Sequence, residues 1–304
     1  MPKRDAIMDS PNPAASPSAP GSAYVRYGHA THQGLVRTDN QDAYGIFPRE
    51  HDDPTRGAGL LFVVADGMGG HQGGREASQM AVHLIEERYR ASAARDVAEA
   101  LRRAFTEANA EIYARSTQDP ALQGMGTTCT ALVFRRSRAW IAHVGDSRAY
   151  RATEDGIEQL TQDHSRVEEM VRQQLLTPAE AATHPQRNVL SRALGVLPEV
   201  EVDLVEVPAP EAGHTFLLCS DGLADVPTEA LHEAVRTLPP QQACDALVQQ
   251  ANALGGHDNV TVVVVRVEQV PRPAAYRWGA FFIVLALVLM ALLLMGACGG
   301  PPAP

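Results

Sequence analysis

Four aspartates share one setting. Asp66 closes the run LLFVVAD, Asp146 closes AWIAHVGD, Asp221 closes TFLLCSD, and Asp258 opens DNVTVVVV. Short apolar runs of this length, rich in β-branched residues, form buried strands rather than helices. A buried strand ends at the rim of a core, so each of these acids belongs at a rim. Where several rims coincide the carboxylates repel one another, and they must stay protonated or share a cation. All-oxygen donors suit a hard divalent ion such as Mg²⁺ or Mn²⁺. For any one aspartate a turn is the commoner explanation, because Asp–Gly is ordinary turn chemistry. Four in the same setting favour a common site.

Further strand-like runs are Tyr24–Ala30, Ala43–Phe47, Thr128–Phe134, Arg148–Ala152 and Val200–Val207. Helical spacing places Ala77, Met80, Ala81, Leu84 and Ile85 on one face, and Val97, Leu101, Ala104, Phe105, Ala108 and Ile112 on another. Strands arrive in runs and the two long helices are consecutive. That order predicts antiparallel sheets with helices packed outside them, not a doubly wound parallel sheet.

The net charge of −10 argues against a nucleic-acid partner, which would call for a basic face. Cys129, Cys219, Cys244 and Cys298 form no ligand cluster and read as reduced thiols. Residues 1–22, dominated by Pro, Ala and Ser, predict a disordered segment with no signal-peptide core. Near the other end, residues 278–297 carry no charged side chain and are long enough for a transmembrane helix. Tyr276 and Trp278 suit its interface. Arg272 and Arg277 before it, with no charge in the tail 298–304, put the preceding body on the cytoplasmic side. The expected organisation is therefore a folded body at 23–269, a linker at 270–277 and a single membrane anchor.

Read forward, the chain holds Arg37-Thr-Asp-Asn40-Gln41-Asp42, Asp66-Gly-Met-Gly-Gly, Gly126-Thr-Thr and Gly145-Asp-Ser-Arg148. Then come Asp163-His-Ser165, the run Asn188 to Gly195, Ser220-Asp-Gly-Leu223 and Asp258-Asn259. In this order they resemble the metal-dependent protein phosphatases of type 2C (PPM), over Tyr24 to about Glu268. The resemblance implies an α+β fold, a four-layer α/β/β/α sandwich of two antiparallel sheets flanked by helices. It implies hydrolysis of phosphoserine and phosphothreonine in proteins, opposing a bacterial Ser/Thr kinase, by a catalytic domain acting as a monomer.

It also implies two Mn²⁺ or Mg²⁺ ions, with Asp66 bridging them and the Gly67 carbonyl on one. Asp221 and Asp258 complete the second site, and Asp146 with Asp221 holds a third, weaker ion. Asp42 acts through metal-bound water, and Arg37 takes the substrate phosphate. The physics agrees, since phosphoryl transfer asks mainly for positioning and charge neutralisation, and a planar guanidinium meets a phosphate with two parallel hydrogen bonds. Some family members carry a histidine, proposed as general acid, where this chain has Met68. His71 nearby is a weak substitute, so the general acid is unassigned. Residues 166–187 match the flap beside the active site and read as a helical excursion. Two alternatives are a phosphoprotein-binding pseudophosphatase, disfavoured by the complete set of acids, and a metal nuclease, disfavoured by the acidic balance.

Overall fold

Alternate residues of a pleated strand face opposite ways, and in this protein both faces of the central strands are covered. The computed structural model describes residues 23–47, 58–92, 96–135, 138–208 and 210–269. In chain order come β1 (Ala23–His32), β2 (Asp42–Phe47), β3 (Leu60–Met68), α1 (His71–Ser92) and α2 (Val97–Gln118). Next are β4 (Gly126–Thr127), β5 (Cys129–Arg135), β6 (Arg138–Val144), β7 (Arg148–Ala152) and β8 (Ile157–Gln159). The rest are α3 (Arg166–Arg172), α4 (Pro178–Ala182), β9 (Asp203–Pro208), β10 (Thr215–Cys219), α5 (Thr228–Thr237), α6 (Pro240–Ala253) and β11 (Val260–Gln269).

One sheet runs β2-β3-β5-β6-β9 with β4 attached to β3, and the other runs β1-β11-β10-β7-β8. Every pairing is antiparallel. On β3, Leu61, Val63 and Ala65 pack under α1 and α2, while Leu60, Phe62 and Val64 face the other sheet. On β11, Val260, Val262 and Val264 pack under α5 and α6, while Val263, Val265 and Val267 face inward. The result is helices, sheet, sheet, helices, as the family resemblance implies.

Pattern reading does not assign α5 or α6. Their helices begin at proline-containing segments without a side-chain cap, so the usual start signal is missing. The expected strand at Val200–Val207 forms only from Asp203, because Val200 and Val202 instead pack against the core under α1 and α2. In the flap, α3 and α4 supply the helical excursion; α4 carries a capping box between Thr177 and Glu180. Cys129, Cys219 and Cys244 are buried free thiols. The N-terminal segment, the linker, the apolar span at 278–297 and Cys298 lie outside the described residues. Among those described, no helix is long and apolar enough to cross a membrane.

Candidate active site

The layer between the sheets is apolar along most of its length and turns polar at one end. On β3 the inward series Leu60, Phe62, Val64 continues to Asp66; on β2, Ile46 and Tyr44 continue to Asp42. The two acids face each other directly, because the register pairs Asp42 with Asp66. On β10 the series Phe216, Leu218 continues to Ser220, whose hydroxyl donates to Asp42 Oδ2 at 2.7 Å. Asp221 follows in a single 3₁₀ turn, Asp258 lies just before β11, and Asp146 occupies the turn between β6 and β7. Strand parity and strand ends thus bring five acids to one rim.

Their electrostatics record the crowding. Burial, with the charges of Asp42, Asp221, Asp146 and Asp258, pushes the Asp66 carboxyl well above the usual range. Asp42 is pushed up to about 7 by burial and by Asp221 and Asp258, against hydrogen bonds from Thr261 and Ser220. Asp146 also rises to about 7, through burial and then Asp221. Burial and Asp258 raise Asp221, partly offset by a hydrogen bond with Asp66 and by the charges of Arg148 and Arg37. Arg37 is the cation at the mouth. Its guanidinium donates to Asp258 Oδ2 at 2.6 Å and also feels Asp221 and Asp66.

Asp42 Oδ1 and Asp221 Oδ1 are enclosed and accept no hydrogen bond. A buried carboxylate oxygen without a donor is costly, and a divalent cation is the partner that oxygen-only donors fit. No three His, Cys, Asp or Glu side chains among the described residues form a ready-made cage. Carboxylates that repel one another, one of them paired with Arg37, do not close up unaided. The donor chemistry fits the ions, and the orphaned oxygens mark where it does so.

A second tier holds these acids in place. The Asp66 N–H donates to Thr128 Oγ1 at 3.0 Å, and the Asp66 carbonyl accepts from Thr127 Oγ1 and the Thr128 N–H, each at 2.8 Å. Thr128 Oγ1 meets Ser147 Oγ at 2.6 Å, tying Asp66 to the turn that carries Asp146. The Gly145 N–H donates to His164 Nδ1 at 3.1 Å, and His164 Nε2 meets Asp203 at 3.1 Å. Arg148 grips Asp163 through Nε and Nη2. Gly67 is required by close approach: a Cβ there would sit 2.0 Å from the Gly74 carbonyl oxygen at the start of α1. Sequence reasoning gave no role to Ser220, Ser78 or Asn259, although Ser220 and Asn259 sit inside the motifs. Ser78 caps the same region, donating to the Gln41 carbonyl at 2.6 Å. Met68 is half-buried beside Gly126 and offers no proton. The His71 side chain lies outside the described residues.

With this geometry in place, the family profile described as protein phosphatase 2C matches residues 32–255. The chain belongs to that family. The Listeria innocua serine/threonine phosphatase stp is 41% identical over 245 residues, covering 77% of this chain and 93% of the relative. PstP of Mycobacterium tuberculosis is 38% identical over 244 residues, covering 80% of this chain and 45% of that longer protein. The crystal structure of the PstP catalytic domain, in complex with 2 manganese ions, superposes with a TM-score of 0.70 at 35% identity. It covers 82% of this chain and 100% of that one. This phosphatase therefore catalyses metal-dependent dephosphorylation of serine and threonine in proteins, with Mn²⁺ or Mg²⁺ as cofactor.

Proposed function

We propose the following division of labour at the rim. Asp66, the Gly67 carbonyl, Asp221 and Asp258 hold two Mn²⁺ or Mg²⁺ ions, and Asp146 with Asp221 holds a third more weakly. When bound, such ions neutralise phosphoryl charge and make a water acidic enough to act as nucleophile at neutral pH. Arg37, exposed at the mouth, takes the phosphate with its planar fork and orients phosphorus toward the acids. Asp42, oriented by Ser220, accepts a hydrogen bond from water at the site. The P–O bond to the seryl or threonyl oxygen breaks as water adds, leaving inorganic phosphate and the free hydroxyl.

The observation that carries this reading is the pair of orphaned buried oxygens, Asp42 Oδ1 and Asp221 Oδ1, at one rim. Phosphothreonine-peptide hydrolysis by the full chain tests it, with Mn²⁺, with Mg²⁺ and with EDTA. Turnover with either ion and none in EDTA is expected. A folded chain inert with both ions would overturn the reading. Asp221→Ala is expected to cost at least about a hundredfold, the size seen when the outer partners of a metal ligand are lost; full retention would remove Asp221 from the site.

The same reading extends to the cell. The apolar run at 278–297 with arginines before it supports a single-pass anchor holding the phosphatase on the cytoplasmic face. Fractionation with membranes, and release on deletion from Tyr276 onward, are the expected results; a detergent-free soluble full chain would refute it. The likeness to bacterial phosphatases supports a partnership with a bacterial Ser/Thr kinase. Loss of the phosphatase is then expected to raise phosphoserine and phosphothreonine on that kinase's substrates, as phosphoproteomics would read.

A further inference from the structure

Asn259 is buried and lies at the meeting point of three segments of the site. Its side chain reaches back to the loop between β1 and β2, which carries Arg37. One Nδ2 group donates to the Gln33 carbonyl at 2.9 Å and to the Asp39 carbonyl at 2.8 Å, while Oδ1 accepts from the Gln41 N–H at 2.8 Å. One amide thus clips both ends of the loop, four residues before Arg37 and two and four residues after it. Its backbone N–H donates to Asp258 Oδ1 at 2.8 Å. Its backbone carbonyl abuts the turn that carries Asp221: a Cβ on Gly222 would lie 2.0 Å from Asn259 O.

We infer that Asn259 is a positioning residue for substrate phosphate, setting the distance between Arg37 and the acids Asp221 and Asp258. The inference rests on the proposed phosphate-binding role of Arg37 and deepens it. An exposed arginine on a loop would otherwise spend its charge on many conformations. A planar amide offers two donors and an acceptor at fixed angles, so it holds the loop in one conformation and keeps the ordering cost out of substrate binding. The adjoining pair between Arg75 and Asp39 braces the same loop from the second turn of α1.

The mechanism predicts a particular division of effects. Asn259→Asp keeps an acceptor for the Gln41 N–H but loses both donors, and it faces the Gln33 and Asp39 carbonyls with negative charge. Asn259→Ala loses all three bonds. Each variant is expected to raise KM for a phosphothreonine peptide about tenfold and to weaken inhibition by inorganic phosphate equally, with kcat changed far less. In Asn259→Ala, Mn²⁺ affinity read by calorimetry without substrate is expected to stay within about threefold of the parent, since the group that Asn259 gives Asp258 is its backbone N–H, which the substitution keeps. In the Arg37→Ala background, Asn259→Ala should raise KM no further, because both act through one guanidinium.

Melting curves for the full chain establish that each variant is folded, and Asn259→Asp, the near-isosteric change, serves if Asn259→Ala does not fold. Phosphate affinity lost in Arg37→Ala but kept in a folded Asn259 variant overturns the clamp alone. A KM increase fully additive with Arg37→Ala, or a fall in kcat with KM unchanged, also overturns it. Unchanged phosphate affinity in Arg37→Ala itself would instead sink the role of Arg37.

Discussion

Between the sheets, β3 presents Leu60, Phe62 and Val64 and then, one inward step further, Asp66. β10 likewise presents Phe216 and Leu218 before Ser220, and β2 passes from Ile46 and Tyr44 to Asp42. The two ends of this layer use the same strands, the same faces and opposite chemistry. At the apolar end, Phe134 meets Phe216 edge to face at 5.1 Å and Phe62 at 6.3 Å. At the polar end, half-buried acids are pushed upward by desolvation and by one another, and two of their oxygens have no donor. One end stabilises the fold and the other draws on that stability. They are linked by register, since a slip of one residue in β3 would turn both Phe62 and Asp66 to the opposite face.

The sharpest way to break the comparison is to damage the apolar end alone. Phe216→Ala removes a ring with 1% exposure and is expected to cost about 3–5 kcal/mol in urea unfolding. Below the transition, turnover per folded molecule should remain close to that of the parent. A loss under about 1 kcal/mol would mean that the two ends are not divided in this way.

The buried polar tier gives a smaller, pH-dependent effect. Burial holds His143 neutral, with its pKa lowered to about 4. Nε2 donates to the Gln162 carbonyl at 3.0 Å, leaving Nδ1 to accept from Thr130 Oγ1 at 2.9 Å. Its folded value lies below the unfolded one, so the unfolded chain takes up the proton first as pH falls. The contribution of His143 that is present above pH 6.5 is therefore lost between about 6.5 and about 4, by about 3 kcal/mol. His143→Gln should remove that contribution, read as the difference between parent and variant, because His164, also lowered by burial, adds to it while the raised Asp42 and Asp146 oppose it across the same window. An unchanged slope in urea titrations across this window would remove His143 as its source.

The smallest effect has the opposite sign. In EDTA, Asp221→Asn removes one of the crowded charges, and its amide can donate to the carboxylates around it. Stability of the metal-free chain is expected to rise by about 1–2 kcal/mol, seen as a higher melting temperature, while Mn²⁺ no longer stabilises the variant as it does the parent. A lower melting temperature in EDTA would show that the polar end does not draw on the stability of the rest.

Much of this architecture was legible along the chain. Short apolar runs rich in β-branched residues mark β3 and β11, period 3.6 marks α1 and α2, and the acids advertise themselves at the ends of apolar runs. What pattern missed has local causes. α5 and α6 lack side-chain caps, and β4 and β8 are two and three residues long. Val200 and Val202 are apolar because a helix covers them, not because a ladder does. Asn259 was visible as a motif letter without a role, since its partners are Gln33, Asp39 and Gln41, more than two hundred residues away.

By itself, then, the sequence determined which residues lie inside, which acids cap which runs, and the family to which the chain belongs. Those properties follow from the order of side chains and the fixed geometry of strand and helix. Only the tertiary structure decided that Asp42 faces Asp66, that Ser220 binds Asp42, and that Asn259 joins the Arg37 loop to Asp258. Each is a meeting of distant segments, the first set by strand register within one sheet and the others by the packing of the two sheets, and no local pattern encodes either.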